Sequence, residues 1–448
     1  MTTHPDQDLR TTLHRIADTT DPLPVADDLW RRGQRARRRG QVLAVAAVLA
    51  VLASVGGVAT LVSTDREVRT ASTEVVEGGA IPSRIEDPVG LSASDDLAVG
   101  AASVAFVGMS TDVTVVTAAD GRYHALTLPE APLRGPVRLS PDGRHLAYAY
   151  RVESAEGQVE AGTALVDLVS GEVRRIPAVS GRGFPVAVSS IGWSADSSYV
   201  AWSGLGLRVW TDAEIRSEAG GGMLGVIEVA SGSQSTQASA EGMASADGDA
   251  VGTLVTLDGV WSFFSQSSGT TKVPLADDLP STDPGDTAST SPTGELTAIA
   301  MRSDTRAALF VTEEGEVLRR ALDRELYPYG AQVTPLGWTA DSLLLARVDG
   351  PAGSYVEGPH LALLTSPDRP TSQWTYRIVV RDVPDVADLS IAVDLVPDLD
   401  GTSSQQLTHD FGDTIDDPRD ISWLIGLGVA AAVALLLGLR WLWRRFLG

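Results

Sequence analysis

A turn followed by an apolar strand recurs five times in this 448-residue chain, and such a repeat leaves few architectures open. The copies are LSPDGRHLAYAY (139–150), GWSADSSYVAW (192–202), ASADGDAVGTLV (244–255), STSPTGELTAIA (289–300) and GWTADSLLLA (337–346). Each has a small or hydroxyl residue, a tight turn with Asp or Thr, then a run suited to a buried strand. Aligned on the turn, Asp142, Asp196, Asp247, Thr293 and Asp341 are spaced by 54, 51, 46 and 48 residues. Gly143 follows Asp142, and Gly294 follows Thr293. Tight turn geometry accounts for these residues without a ligand role. A sixth, earlier copy reads SASDDLAVGAASVAFV, near Asp95.

A second strand pair follows each unit. TALVDLVSGEVRRIPA (163–178), LGVIEVASGSQSTQAS (224–239) and AALFVTEEGEVLRRAL (307–322) each place Ser-Gly or Glu-Gly between two short strands. VVTAADGRYHALTL (115–128) and VWSFFSQSSGTTKVPL (260–275) read the same way. Glycine reaches positive φ cheaply there, which is hairpin chemistry. Four short strands per ~50 residues form one blade of a β-propeller. The expectation is an all-β fold of about six blades over residues 84–383, with a seventh if Asp385–Val396 supplies strands. The strand that closes the ring has no signature of its own. Inserts at Glu153–Gly162 and Glu214–Gly222 read as surface loops.

The run Ser140-Pro141-Asp142-Gly143-Arg144-His145-Leu146-Ala147 resembles the WD40-like repeat of translocation-protein-B-type β-propellers. The other copies depart from it, with Ala195, Ala340 or Thr293 where Pro or Asp is usual. The resemblance covers about 300 residues and implies a propeller fold; it implies no activity.

Two apolar runs flank the repeats. Residues 42–62 (VLAVAAVLAVLASVGGVATLV) and 421–439 (ISWLIGLGVAAAVALLLGL) are each long enough to cross a bilayer as a helix. Arg31, Arg32, Arg35, Arg37, Arg38 and Arg39 precede the first; Arg440, Arg444 and Arg445 follow the second. Arginine clusters stay on the cytoplasmic side. Both termini are therefore expected inside, as a two-pass protein of the cell membrane, with the propeller outside the cytoplasm. Charge agrees with this. Residues 1–41 carry a net +2 and the tail after Leu439 carries +3, so the stretch between holds −28 of a total of −23. For the first run, a cleaved signal peptide is the alternative, although its charged leader of about 40 residues is long for one. The expected divisions are a head at 1–41, a helix at 42–62, a tether at 63–83, the propeller at 84–383, an acidic tether at 384–420, a helix at 421–439 and a tail at 440–448.

Within the head, Leu9, Leu13, Ile16 and Ala17 share one helical face, TTDPLP (19–24) breaks the helix, and Leu29 and Trp30 anchor a second segment. Such a segment docks a cytoplasmic partner or lies on anionic lipid. Its layout resembles cytoplasmic heads of actinobacterial membrane proteins, including anti-sigma factors. There is no Cys to build the zinc signature of many anti-sigma domains, and His14 has only His4 for company.

The absence of Cys excludes disulfides, thiolate sites and Cys nucleophiles. A net charge of −23 argues against nucleic acid as a partner. The sequence contains no G-x-S-x-G, H-E-x-x-H or phosphate loop. His124, His145, His360 and His409 are scattered without ligand spacing. Gly220, Gly222 and Gly225 match G-x-G-x-x-G, but a strand rather than a helix follows them. Asp394, Asp398 and Asp400 lack the spacing of a calcium loop. No catalytic, metal or cofactor residue is assigned. The expectation is a membrane-anchored binding module for an envelope protein or small ligand. The alternatives are a signalling protein whose head holds a sigma factor or similar regulator, and an extracytoplasmic hydrolase built from carboxylates of different blades meeting at one end of the channel.

Overall fold

The computed structural model describes residues 79–412, apart from 89, 109–111, 133–134, 154, 156–157, 212–213, 241, 258, 265–269, 278, 280–283, 302–304, 341 and 403, together with 436–438, 440–441 and 443–445 near the C-terminus. Residues 79–412 form an all-β propeller of six four-stranded antiparallel blades.

The first blade contains β1 (Ala102–Val107), β2 (Val113–Thr117) and β3 (Tyr123–Leu126). The second contains β4 (Val137–Leu139), β5 (His145–Glu153), β6 (Val159–Asp167) and β7 (Val173–Pro177), and the third β8 (Val186–Trp193), β9 (Tyr199–Thr211), β10 (Glu214–Glu228) and β11 (Gln234–Ser239). The fourth is built from β12 (Met243–Ala246), β13 (Val251–Thr256), β14 (Gly259–Phe264) and β15 (Thr270–Val273), the fifth from β16 (Pro284–Thr290), β17 (Leu296–Met301), β18 (Ala307–Thr312) and β19 (Val317–Ala321). The sixth contains β20 (Gln332–Ala340), β21 (Leu343–Gly350), β22 (Gly358–Thr365) and β23 (Tyr376–Val380). A last strand, β24 (Ala387–Ile391), pairs antiparallel with β1 through Val104↔Ile391 and Ala105↔Ser390 and completes the first blade. The innermost strands β4, β8, β12, β16, β20 and β24 pack around the axis.

Both faces of a blade are buried, and strand alternation divides its side chains between two cores. On β5, Leu146, Tyr148 and Tyr150 pack toward the first blade with Val115 and Leu126. The intervening Ala147 and Ala149 pack toward the third with Ile191 and Trp202. On β21, Leu344, Ala346 and Val348 face the fifth blade, and Leu345 faces the first. This is why the strands read as continuous apolar runs in the sequence.

Two expected tethers turn out to hold propeller structure. The acidic stretch 384–420 supplies β24, and no seventh blade forms among the described residues. Its apolar residues Val386, Leu389, Ile391, Val393 and Val396 are buried between prolines and aspartates that hide them in the sequence. Beside it, at the start of the propeller's sequence, Ala80 and Ile81 are fully buried, Ser83 N donates to His409 O and His409 N donates to Ile81 O. The chain thus enters and leaves the propeller at one place. The two inserts expected as loops are instead hairpin extensions: β5 pairs with β6 as far as Glu153↔Val159, and β9 with β10 as far as Thr211↔Glu214. Gly220, Gly222 and Gly225 therefore lie within a strand.

Among the described residues, no helix is long and apolar enough to cross a membrane. The runs at 42–62 and 421–439 lie outside those residues, save Leu436, Leu437 and Gly438. The head, with Arg31, Arg32, Arg35, Arg37, Arg38 and Arg39, lies wholly outside them. Arg440, Arg444 and Arg445 are helical, and Arg445 sits 5.0 Å from the centroid of the Trp441 ring.

Candidate functional site

Inner strands that share no sheet need other bonds to hold the axis together. Repeated side-chain bonds provide them. Ser190 Oγ accepts from Ala244 N, Ser245 Oγ from Thr290 N and Ser390 Oγ from Leu139 N, each reaching from one blade to the next. Two indoles do the same: Trp193 Nε1 donates to Arg138 O and Trp338 Nε1 to Ser289 O. The serines and indoles satisfy inner-strand backbone groups that have no strand partner on the axis side.

The channel is narrow, with a cavity of about 40 Å³ between Arg138, Ile191, Thr290, Leu336, Trp338 and Ile391. At the end where the inner strands begin, it widens to a vestibule of about 270 Å³. Arg138 closes the floor between the two. From β4 in the second blade, its Nη1 reaches Asp388 Oδ1 of the first blade at 2.7 Å, and its Nη2 reaches Thr287 Oγ1 of the fifth at 2.8 Å. Only 10% of the Arg138 side chain is exposed, and its buried Nε has no acceptor. Asp388 holds φ at +50°, an uncommon conformation that aspartate tolerates better than most residues.

Arg347, on β21, forms the vestibule wall. Its Nε donates to Asp349 Oδ1 at 3.1 Å, Nη1 to Val386 O at 2.7 Å and Nη2 to Asp385 Oδ1 at 3.0 Å. Burial pushes the Asp349 carboxyl above its ordinary pKa, and the Arg347 charge opposes the shift. Thr334, Gln332, Leu336 and Leu389 complete most of the lining.

The repeat turns sit at the opposite end. Ser140 and Ser194 organise theirs alike: each hydroxyl donates to the turn aspartate, Asp142 or Asp196, and accepts from a backbone N–H five residues on. Ser291 accepts from Leu296 N in the same way, with Thr293 at the aspartate's position. The fourth-blade turn is displaced from its expected alignment. Asp247 there accepts from Val251 N and takes the place of the serine, so Asp249 corresponds to Asp142. The left-handed residues confirm the register: Gly143, Ser197, Ala250 and Gly294 each lie three positions after Ser140, Ser194, Asp247 and Ser291. Asp341 lies outside the described residues.

These turns bring carboxylates of several blades together. Asp394, just past β24, keeps a solvent-facing side, but the packing around its carboxyl and the charges of Asp142 and Asp196 push its pKa up to about 6. Burial raises Asp247 as well. Among the described residues, no group of three or more His, Asp or Glu is arranged to hold a metal ion. His360 is fully buried in the sixth blade; its Nε2 lies 2.7 Å from Tyr327 Oη and 2.9 Å from Tyr376 Oη.

Sequence reasoning missed Arg138, Thr287, Arg347 and Asp388. They come from four blades and share no local spacing. One signal was present: Arg138 is a charge inside Val-Arg-Leu, directly before a turn whose strand must be buried.

No protein-family model matches the chain, and no curated protein matches it in sequence. Solved structures do resemble it in fold. A puromycin hydrolase is 14% identical, with a TM-score of 0.39, and the match covers 67% of this chain and 49% of that one. A putative TolB from Agrobacterium tumefaciens is 14% identical, with a TM-score of 0.34, covering 62% of this chain and 89% of that one. The β-propeller domain of the Trilobed protease from Pyrococcus furiosus is 11% identical, with a TM-score of 0.35, covering 61% and 81%. This chain spans about half the length of the puromycin hydrolase.

Proposed function

We propose that this chain is a membrane-anchored extracytoplasmic β-propeller that acts as a binding module for a protein or small ligand, with the vestibule as its ligand site. The observation that carries the reading is the floor formed by Arg138. It joins three blades and converts the channel from a passage into a polar cup open at one end, the usual form of a ligand site. Anchoring is supported by the arginine-flanked apolar runs and by Trp441 and Trp443, which are 57% and 66% exposed, as interfacial residues are. The adjacent entry and exit of the chain suit a propeller tethered at both ends to one surface.

The chain lacks Cys, so single cysteines report topology directly. In intact cells, an impermeant maleimide is expected to label Leu257→Cys, at an exposed position, and to label Thr2→Cys only after lysis. Labelling of both, or the reverse order, overturns the topology. In a related reading, the head at 1–41 transmits binding to a cytoplasmic regulator such as a sigma factor. Deleting residues 2–28 is then expected to change transcription.

A hydrolase is the second reading, and Asp394 favours it. A carboxyl with a pKa raised to about 6, beside the side chains of Asp142 and Asp196, is placed as a general acid needs to be. Turnover of an ester, peptide or glycoside panel by the full chain, lost in Asp394→Asn, supports it; no turnover of any panel member removes it.

A further inference from the structure

Two loops of the sixth blade hold an aromatic pair that the fold leaves uncovered. Among the described residues of the propeller, four large hydrophobic side chains are exposed: Val179, Leu257, Tyr329 and Tyr355. The two tyrosines, 69% and 77% exposed, belong to one place. Tyr329 lies in the link from β19 to β20, residues 322–331, and Tyr355 in the link from β21 to β22, residues 351–357. Tyr355 N donates to Leu326 O at 2.9 Å, and a Cβ added at Gly353 would come within 3.4 Å of the Tyr329 ring. Both links adjoin the register pair Gln332↔Asp349, and Gln332 lines the vestibule. The rings therefore stand on the vestibule face of the propeller.

The loops under the rings are held in place. Gly353 N donates to Glu357 Oε1 at 2.7 Å, Glu325 N donates to Asp323 Oδ1 at 2.8 Å, and the intervening Tyr327 is buried against His360. A partner that covers such rings orders little that is not ordered already. Charge selects the partner. The two links carry Asp323, Glu325 and Glu357 against Arg324, all of them exposed. An anionic lipid surface or another polyanion is repelled there. A cation is attracted twice, by the carboxylates and by the negative face of each ring. We propose that Tyr329 and Tyr355 anchor a docking surface for a basic segment of another protein, with Arg or Lys side chains laid over the rings and paired with Glu325 and Glu357. The surface is separate from the vestibule and does not depend on the vestibule holding a ligand.

The test follows the fluorescence anisotropy of a labelled peptide with two arginines, titrated with the full chain in zwitterionic detergent. Saturable binding is expected, at least about tenfold tighter than for the same peptide with two glutamates or two serines. Tyr329→Ala combined with Tyr355→Ala is expected to weaken it about tenfold, while the corresponding Phe pair, which keeps both ring faces, stays within about twofold. Glu325→Gln is expected to weaken it about threefold, and Glu172→Gln, in an exposed turn at the opposite end of the second blade, leaves it unchanged. Equal binding by the wild type and the double alanine variant overturns the surface, because the peptide then reports only the net charge of the chain. A serine peptide or maltopentaose that binds as tightly, and is lost in the double alanine variant, overturns the basic partner and leaves the tyrosines as a docking surface for a neutral one. No saturation by the arginine peptide up to about 1 mM overturns the proposal.

Discussion

Arg138 in the second blade donates a 2.8 Å hydrogen bond to Thr287 in the fifth, across the axis of the propeller, while the same guanidinium is paired with Asp388 of the first. A charge buried to this extent is tolerated only with a partner. Asp388→Asn keeps a residue that accepts positive φ, so it isolates the loss of charge from backbone strain. The expected loss is about 2 kcal/mol, below the ~3–5 kcal/mol of a fully buried pair because 23% of the Asp388 side chain is exposed. Urea unfolding measures it; an unchanged midpoint would mean that the pair contributes nothing.

The two inter-blade indoles perform the same task and predict matched effects. Trp338→Phe removes the bond to Ser289 O, and Trp193→Phe the bond to Arg138 O. Each carbonyl is then left without its donor, at about 1–3 kcal/mol. Thermal unfolding of both variants should show comparable losses, with unchanged far-ultraviolet circular dichroism.

Four corresponding turn positions are left-handed, and only two are glycine. Ala250, at φ +64°, is buried, so its methyl offsets part of the backbone strain. Ala250→Gly is expected to stabilise the chain by up to about 1 kcal/mol. Ser197, at φ +61°, accepts a hydrogen bond from Asp142 N, so Ser197→Gly exchanges strain relief for a lost bond and should gain less. Conversely, a Cβ added at Gly143 would lie 2.1 Å from Ala102 O, and Gly143→Ala should destabilise strongly. A stability series in denaturant orders the three.

His360 gives the sixth blade an acid sensitivity. Burial lowers its pKa, with its Gly358 carbonyl contact and Asp349 opposing and Arg381 reinforcing the shift. The unfolded chain therefore takes up a proton near pH 6.5 that the folded chain refuses, and stability falls as pH drops below that value. Tyr327 and Tyr376, the other groups against the ring, keep their protons throughout this range, since burial raises both. Unfolding midpoints between pH 7.5 and 5.5 should decline less steeply in His360→Gln. Equal slopes would assign the acid sensitivity to other groups.

The sequence exposed the blades because their information is local. The hydroxyl–turn–strand unit of Ser140 or Ser194 needs only neighbouring residues to form, and it recurs at blade spacing. The same locality misled at Asp247. One carboxylate there takes over the serine's acceptor role, and only the left-handed Ala250 shows the shift. β24 was illegible because the strand it completes begins almost the whole length of the propeller earlier, at Ala102. ADLSI among prolines and aspartates reads as a linker until Val104 and Ala105 are set beside it.

What the sequence determined by itself was the repeat, hence the all-β class and a count of about six blades, and the two arginine-flanked apolar runs outside it. Strand periodicity and tight turns are written in neighbouring residues. Only the tertiary structure decided which residues face one another at the channel. Arg138, Thr287, Arg347 and Asp388 meet because ring closure brings distant strands to one mouth, and nothing local in the chain encodes that convergence.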